Sequence, residues 1–143
     1  EIGFVGYDKG KISEGTNIED AVSFANESNI DAMAISVGNT HLQTSKKASI
    51  DFNKINLIEA KTKIPLVLHG SSGIPVEQRK KLARKTKVAK LNIGTEIRMT
   101  FGEALRKNLK NNPKTYDRLQ LLKPTIKDLT KVTKKIIKQI GPN

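Results

Sequence analysis

Four short apolar runs alternate along this chain with stretches of helical periodicity, and the alternation leaves few architectures open. The runs are EIGFVG at 1–6, AMAISVG at 32–38, IPLVLHG at 64–70 and VAKLNIG at 88–94. After the first, Thr16 with Glu19 three residues on forms a capping-box pattern that predicts a helix start, with Ile18, Ala21, Val22 and Ala25 as its apolar face. A second helix is expected from about Asp51, where Phe52, Ile55 and Ile58 recur at helical spacing. Pro75 suits the first turn of a third. Thr95 and Glu96 lead into a fourth bearing Ile97, Phe101, Leu105 and Leu109. A terminal helix is predicted over about 125–140, with Ile126, Leu129, Val132, Ile136 and Ile140 on one face and Gly141-Pro142 as its stop. Short β-runs separated by helices imply a parallel sheet covered by helices, in an open doubly wound form or as part of a (β/α)8 barrel. In either form, chemistry gathers at the carboxyl ends of the strands.

The charge narrows the partners. The net charge of +12 is uneven, because residues 1–78 hold 7 Lys/Arg against 10 Asp/Glu and residues 79–143 hold 19 against 4. The basic residues fall on helix-like segments such as 79-RKKLARKTK-87, Lys supplies 21 of the 26, and aromatics are 4%. That pattern favours a solvated lysine surface over a nucleic-acid groove, which needs platforms for stacking bases. The absence of Cys excludes thiol chemistry and cysteine metal sites and fits a reducing cytoplasm. With no apolar run near the roughly 18 residues of a membrane span, a soluble, cytoplasmic protein without a membrane partner is expected. The chain opens without Met inside the apolar stretch 2–5, so it reads as a piece of something longer.

The polar residues after the runs are the candidates for function. The two histidines of the chain, His41 and His69, both follow strand ends. On adjacent parallel strands their imidazoles would converge, as in a zinc site with an open position. Two unrelated loop histidines satisfy the same spacing. Gly70-Ser71-Ser72-Gly73 and Asn92-Ile93-Gly94-Thr95 each precede a helix, where glycine turns, hydroxyls and the helix dipole suit a phosphate. Ordinary turn and cap chemistry uses the same residues.

Taken together, 31-DAMAISVGNTH-41, 65-PLVLHGSSGIP-75 and 90-KLNIGTE-96 resemble the class II, metal-dependent ketose-bisphosphate aldolases, a group that includes fructose-1,6- and tagatose-1,6-bisphosphate aldolases. EIGFVG resembles that family's Glu-Leu-Gly strand, and 116-YDRLQLLKP-124 its Tyr-Asp-Pro-Arg segment, so the resemblance covers essentially the whole chain. It implies a (β/α)8 TIM barrel in which residues 1–143 form the C-terminal half of one domain, strands five to eight, completed by an N-terminal half. Implied with it are cytoplasmic reversible aldol cleavage of fructose 1,6-bisphosphate to dihydroxyacetone phosphate and glyceraldehyde 3-phosphate in glycolysis, zinc, a further monovalent cation, and a homo-oligomer. His41 and His69 match zinc ligands, with Glu1 as a weaker match. Gly70, Ser71 and Ser72 match a phosphate loop, and Asn92, Ile93, Gly94 and Thr95 the segment for phosphate and the dihydroxyacetone-phosphate portion. The proton-donating Asp is expected in the N-terminal half. Four departures stand out: Lys9 replaces a carboxylate, Leu42 a glycine, Ser71 a glycine and Leu119 an arginine. They keep open a degenerate aldolase-like protein that binds anions through its basic surface, and a tagatose-bisphosphate aldolase is a second alternative because its substrate differs from fructose 1,6-bisphosphate in one stereocentre.

Overall fold

The computed structural model describes residues 1–6 and 15–141, so the expectations for Lys9 and Pro142 lie outside the described residues. The chain divides into two compact units, Glu1–Gly94 and Thr95–Asn143.

In the first unit three parallel strands, β1 (Met33–Ile35), β2 (Leu66–Leu68) and β3 (Val88–Leu91), lie in sequential order. Three helices alternate with them: α1 (Ile18–Glu27), α2 (Phe52–Lys61) and α3 (Val76–Lys85). Among the described residues the strand order shows no reversal of the kind that marks a doubly wound fold. Met33, Ile35, Leu66 and Leu68 are almost completely buried against Ile55 and Ile58 of α2, Ala21 of α1 and Leu82 of α3. Burial of all three β2 residues is the pattern of a strand covered on both faces. Between β2 and β3 the register skips Ala89, since Leu66 pairs with Val88 and Val67 with Lys90.

Two expectations need correction here. The run at 1–6 is not a full strand, because only Ile2 bridges to β1, its N–H donating to the Ala34 carbonyl at 3.0 Å. Gly3, at φ 86°, turns the backbone away from extended geometry immediately afterwards. Nor does Thr16 cap α1. Asn17 does, accepting from the Asp20 N–H at 3.0 Å. Thr16 is instead fully buried, its hydroxyl donating to the Ile2 carbonyl at 2.8 Å and accepting from the Ser36 N–H at 2.7 Å. It ties the first residues to the end of β1, a long-range role that outcompetes the local one. The other helix starts fall close to where expected, with Asp51 capping α2 through the Lys54 N–H and Pro75 standing immediately before the first residue of α3, without a side-chain cap bond.

The second unit holds α4 (Thr95–Asn111), α5 (Arg118–Leu122) and α6 (Thr125–Ile140). α4 packs along α6, and the Asn108 amide donates to the Leu121 carbonyl of α5 at 2.6 Å. Asp117 caps α5 through the Leu119 N–H. The expected apolar stripes are only partly covered. Ile136 is buried, but Ile126 of α6 and Leu109 of α4 are exposed, because the stripe of each helix is wider than the contact between them. Leu119 and Arg118 are both exposed on α5.

Candidate active site

The site residues of the first unit collect beyond the carboxyl ends of β1, β2 and β3. His41 follows β1 and His69 follows β2 directly, and their ring centres stand 5.9 Å apart at 68°. Neither position is accidental. The His41 N–H donates to the Gly6 carbonyl at 2.8 Å, anchoring its loop to the first residues of the chain. The His69 carbonyl accepts from the amide of Asn39 at 3.0 Å, while the Asn39 Oδ1 accepts from the Val37 N–H at 2.7 Å. Asn39 is buried, so one side chain fixes both histidine-bearing loops. In the sequence Asn39 stands only within 31-DAMAISVGNTH-41, and nothing local marks its bridging role, because that role depends on the His69 carbonyl thirty residues on.

The loop after β2 begins at Gly70, which is left-handed at φ 62° and continues into a 3-10 turn, Ser71–Gly73. A Cβ at Gly70 would lie 2.3 Å from the Thr40 carbonyl oxygen, so the close approach of this loop to the His41 loop requires glycine. Ser71 is fully buried. Its hydroxyl donates to the Leu68 carbonyl at 3.0 Å and its N–H to the Asn92 carbonyl at 3.1 Å. The side chain that replaces a glycine therefore turns down toward the strand end, which explains how the fold accepts it.

Asn92 joins this cluster from the end of β3. Its N–H donates to the Leu68 carbonyl at 2.8 Å, and its amide nitrogen lies 3.2 Å from Nδ1 and 3.4 Å from Nε2 of His69. His41, His69, Gly70, Ser71, Ser72 and Asn92 thus share one end of the sheet, and half-buried Ile93 and Gly94 continue from Asn92. Thr95 opens α4 in the second unit, where its hydroxyl accepts from Arg98 at 3.3 Å. Glu1 is exposed, and among the described residues no group of three His, Cys, Asp or Glu is close enough to hold a metal ion.

Leu42 is, among the described residues, the one non-glycine with positive φ, at 56°. Its side chain is exposed, so the departure from glycine strains the backbone beside His41 without filling the core. A further correction concerns Arg79. The run 79-RKKLARKTK-87 reads as a solvated face, yet Arg79 is fully buried beneath the Ser71–Gly73 turn.

Two imidazoles, an amide and a glycine-serine turn thus gather at the carboxyl end of a parallel sheet, the end at which α/β enzymes carry their chemistry. The chain matches the model for fructose-bisphosphate aldolase class-II over residues 1–143, and it belongs to that family. It is 34% identical to the 6-phospho-5-dehydro-2-deoxy-D-gluconate aldolase of Shouchella clausii (strain KSM-K16), over 99% of this chain and 49% of that protein. With the sulfofructosephosphate aldolase of Alkalicoccus urumqiensis it shares 35% identity over 74% of this chain and 37% of the relative. Its fold is similar to the crystal structure of the YdjI aldolase from Escherichia coli K12, with a TM-score of 0.69 and 26% identity over 88% of this chain and 44% of that one. The chain therefore spans at most about half the length of these relatives.

Proposed function

We propose that this chain forms the C-terminal half of one (β/α)8 barrel domain, completed by an N-terminal half, in a zinc-dependent enzyme that reversibly cleaves a ketose 1,6-bisphosphate. The observation that carries the reading is the pairing of His41 and His69 beside the Gly70–Gly73 turn, at the ends of adjacent parallel strands. Sequential strand order supports the barrel.

The residues present fit two ligands of the zinc that the family implies. Two imidazoles on one tetrahedral zinc at about 2.1 Å place their ring centres roughly 5–6 Å apart, and these stand at 5.9 Å. The chemistry such an ion supplies is Lewis acidity toward the ketose carbonyl. The remaining ligand and the proton-donating Asp are assigned to the N-terminal half, and Glu1 is retained as a weaker candidate ligand. Asn92, whose amide nitrogen lies 3.2 Å from the ring of His69, is assigned with its neighbours to the dihydroxyacetone-phosphate portion. The loop of Gly70, Ser71 and Ser72 grips the phosphate through Ser72, the Ser71 N–H and carbonyl being held by Asn92 and Arg79, and Ile93, Gly94 and Thr95 border the dihydroxyacetone-phosphate portion. Breaking the bond between C3 and C4 of fructose 1,6-bisphosphate leaves its electron pair on the dihydroxyacetone-phosphate carbon, where the Asp delivers a proton. The O4 proton passes to solvent water as glyceraldehyde 3-phosphate forms. A homo-oligomer, a monovalent cation and a cytoplasmic role in glycolysis complete the proposal.

The substrate is a question of stereochemistry and end groups. Relatives named for a phosphorylated dehydro-deoxygluconate and for sulfofructose phosphate share with fructose 1,6-bisphosphate a carbonyl-bearing phosphorylated sugar skeleton. The test is to assay the intact protein against fructose 1,6-bisphosphate, tagatose 1,6-bisphosphate and both relatives' substrates, with and without a chelator. Chelator-sensitive cleavage strongest on fructose 1,6-bisphosphate is expected. Preference for another of the four replaces the substrate assignment, and chelator-resistant cleavage overturns the zinc reading.

A further inference from the structure

A buried guanidinium is costly unless its donors are met, and Arg79 is placed where that cost has a use. From the first turn of α3 its Nε donates to the Ser71 carbonyl at 3.0 Å and its Nη2 to the Ser72 carbonyl at 2.8 Å, with the whole side chain buried. One planar fork thus holds two consecutive carbonyls of the proposed phosphate turn. In a trans peptide the carbonyl and the following N–H point in opposite directions. Drawing the Ser71 and Ser72 carbonyls toward Arg79 therefore aims the Ser72 N–H away from it, while the Gly73 N–H closes the turn on the Gly70 carbonyl at 3.3 Å. The turn is fixed from its other sides by the Ser71 N–H to Asn92 and by the Gly73 carbonyl, which accepts from the Ala48 N–H at 3.1 Å.

We propose that Arg79 is a positioning residue for phosphate recognition, pre-setting the Ser71–Gly73 turn through its two carbonyls and lending the turn a fixed positive charge from below. The inference rests on the reading of that turn as a phosphate site. It goes beyond it in naming a residue that never touches the ligand. A lysine cannot serve both carbonyls in one plane, so the geometry selects arginine.

The test measures inorganic phosphate binding to the intact, zinc-loaded protein by calorimetry, together with KM and kcat for the cleaved substrate. Arg79→Lys keeps the charge and loses the fork, and it should weaken phosphate binding about tenfold, raising KM by a similar factor with kcat little changed. Arg79→Met should weaken it further. If Arg79→Met does not fold, Arg79→Lys still decides the matter. Ser72→Ala separates the two layers of the claim. Weaker phosphate binding in Ser72→Ala with wild-type binding in Arg79→Lys would overturn the role of Arg79 and leave the phosphate turn standing. Unchanged binding in both would remove the phosphate turn itself. A lowered melting temperature in Arg79→Lys with unchanged phosphate affinity and KM would show a purely structural arginine and overturn the proposal.

Discussion

The side-chain amide of Asn39, buried beyond β1, donates to the main-chain carbonyl of His69 beyond β2 at 3.0 Å. Its Oδ1 holds the Val37 N–H in the same grip, so the spacing of the two histidines depends on one residue that carries no charge. Asn39→Ala leaves a buried donor and a buried acceptor unmet, and a loss of about 1–3 kcal/mol in stability is expected. Because the histidine loops then drift, metal affinity should fall by about tenfold or more. Asn39→Asp keeps the acceptor for Val37 but sets a carboxylate against the His69 carbonyl, and it should be the more damaging change. Chemical denaturation and metal content of the purified variants check both statements.

Leu42 and Gly70 offer a matched pair of left-handed positions. Leu42→Gly removes the strain of a side chain at φ 56°, a gain of about 1–2 kcal/mol, against a smaller cost in unfolded-chain entropy. The variant should be more stable by roughly 0.5–1 kcal/mol, seen as a raised denaturation midpoint. A fall would mean that the Leu42 side chain has a packing role despite its exposure.

Gly70→Ala runs the other way. It adds the same left-handed strain and brings a Cβ within 2.3 Å of the Thr40 carbonyl, which the backbone cannot relieve without separating the two loops. A loss of about 2 kcal/mol or more is expected, with weakened metal and phosphate binding in the fraction that stays folded. Equilibrium unfolding and calorimetry on the same preparation measure it.

The basic surface makes its own prediction. In the second unit, a cleft of about 380 Å³ between α4 and α6 is lined by Lys107, Lys131 and Lys135 but also by Glu103 and Asp128. Carboxylates among the lysines oppose a continuous phosphate-tracking groove. Any binding of RNA should therefore be without sequence preference and should be lost steeply by about 200 mM salt. Selective binding that survives such salt would favour the degenerate, anion-binding alternative over the enzyme.

Much of this arrangement was legible in the sequence, for physical reasons that also explain the failures. Helix starts at Asp51 and Pro75 and the strands within 64–70 and 88–94 are set by local chemistry and by apolar periodicity, which a sequence displays directly. Convergence of His41 with His69 followed from strand ends being neighbours in a parallel sheet. Thr16 was misread because Thr16 and Asn17 are both good caps, and the choice between them lies with Ser36 and Ile2, distant in sequence. Arg79 hid within a basic run, since its burial depends on carbonyls that only the folded turn presents. The left-handed backbone of Leu42 has no local signature either, as nothing in its side chain favours that conformation.

Metal content measured alongside cleavage rate in His69→Ala and Ser72→Ala, in the intact protein, bears most directly on the proposed chemistry. His69→Ala removes one imidazole of the pair, so bound zinc and cleavage should fall together. Ser72→Ala should keep its zinc while substrate affinity drops by on the order of 1 kcal/mol or more. Stoichiometric zinc with undiminished cleavage in His69→Ala would contradict the ligand assignment and the aldol mechanism built on it.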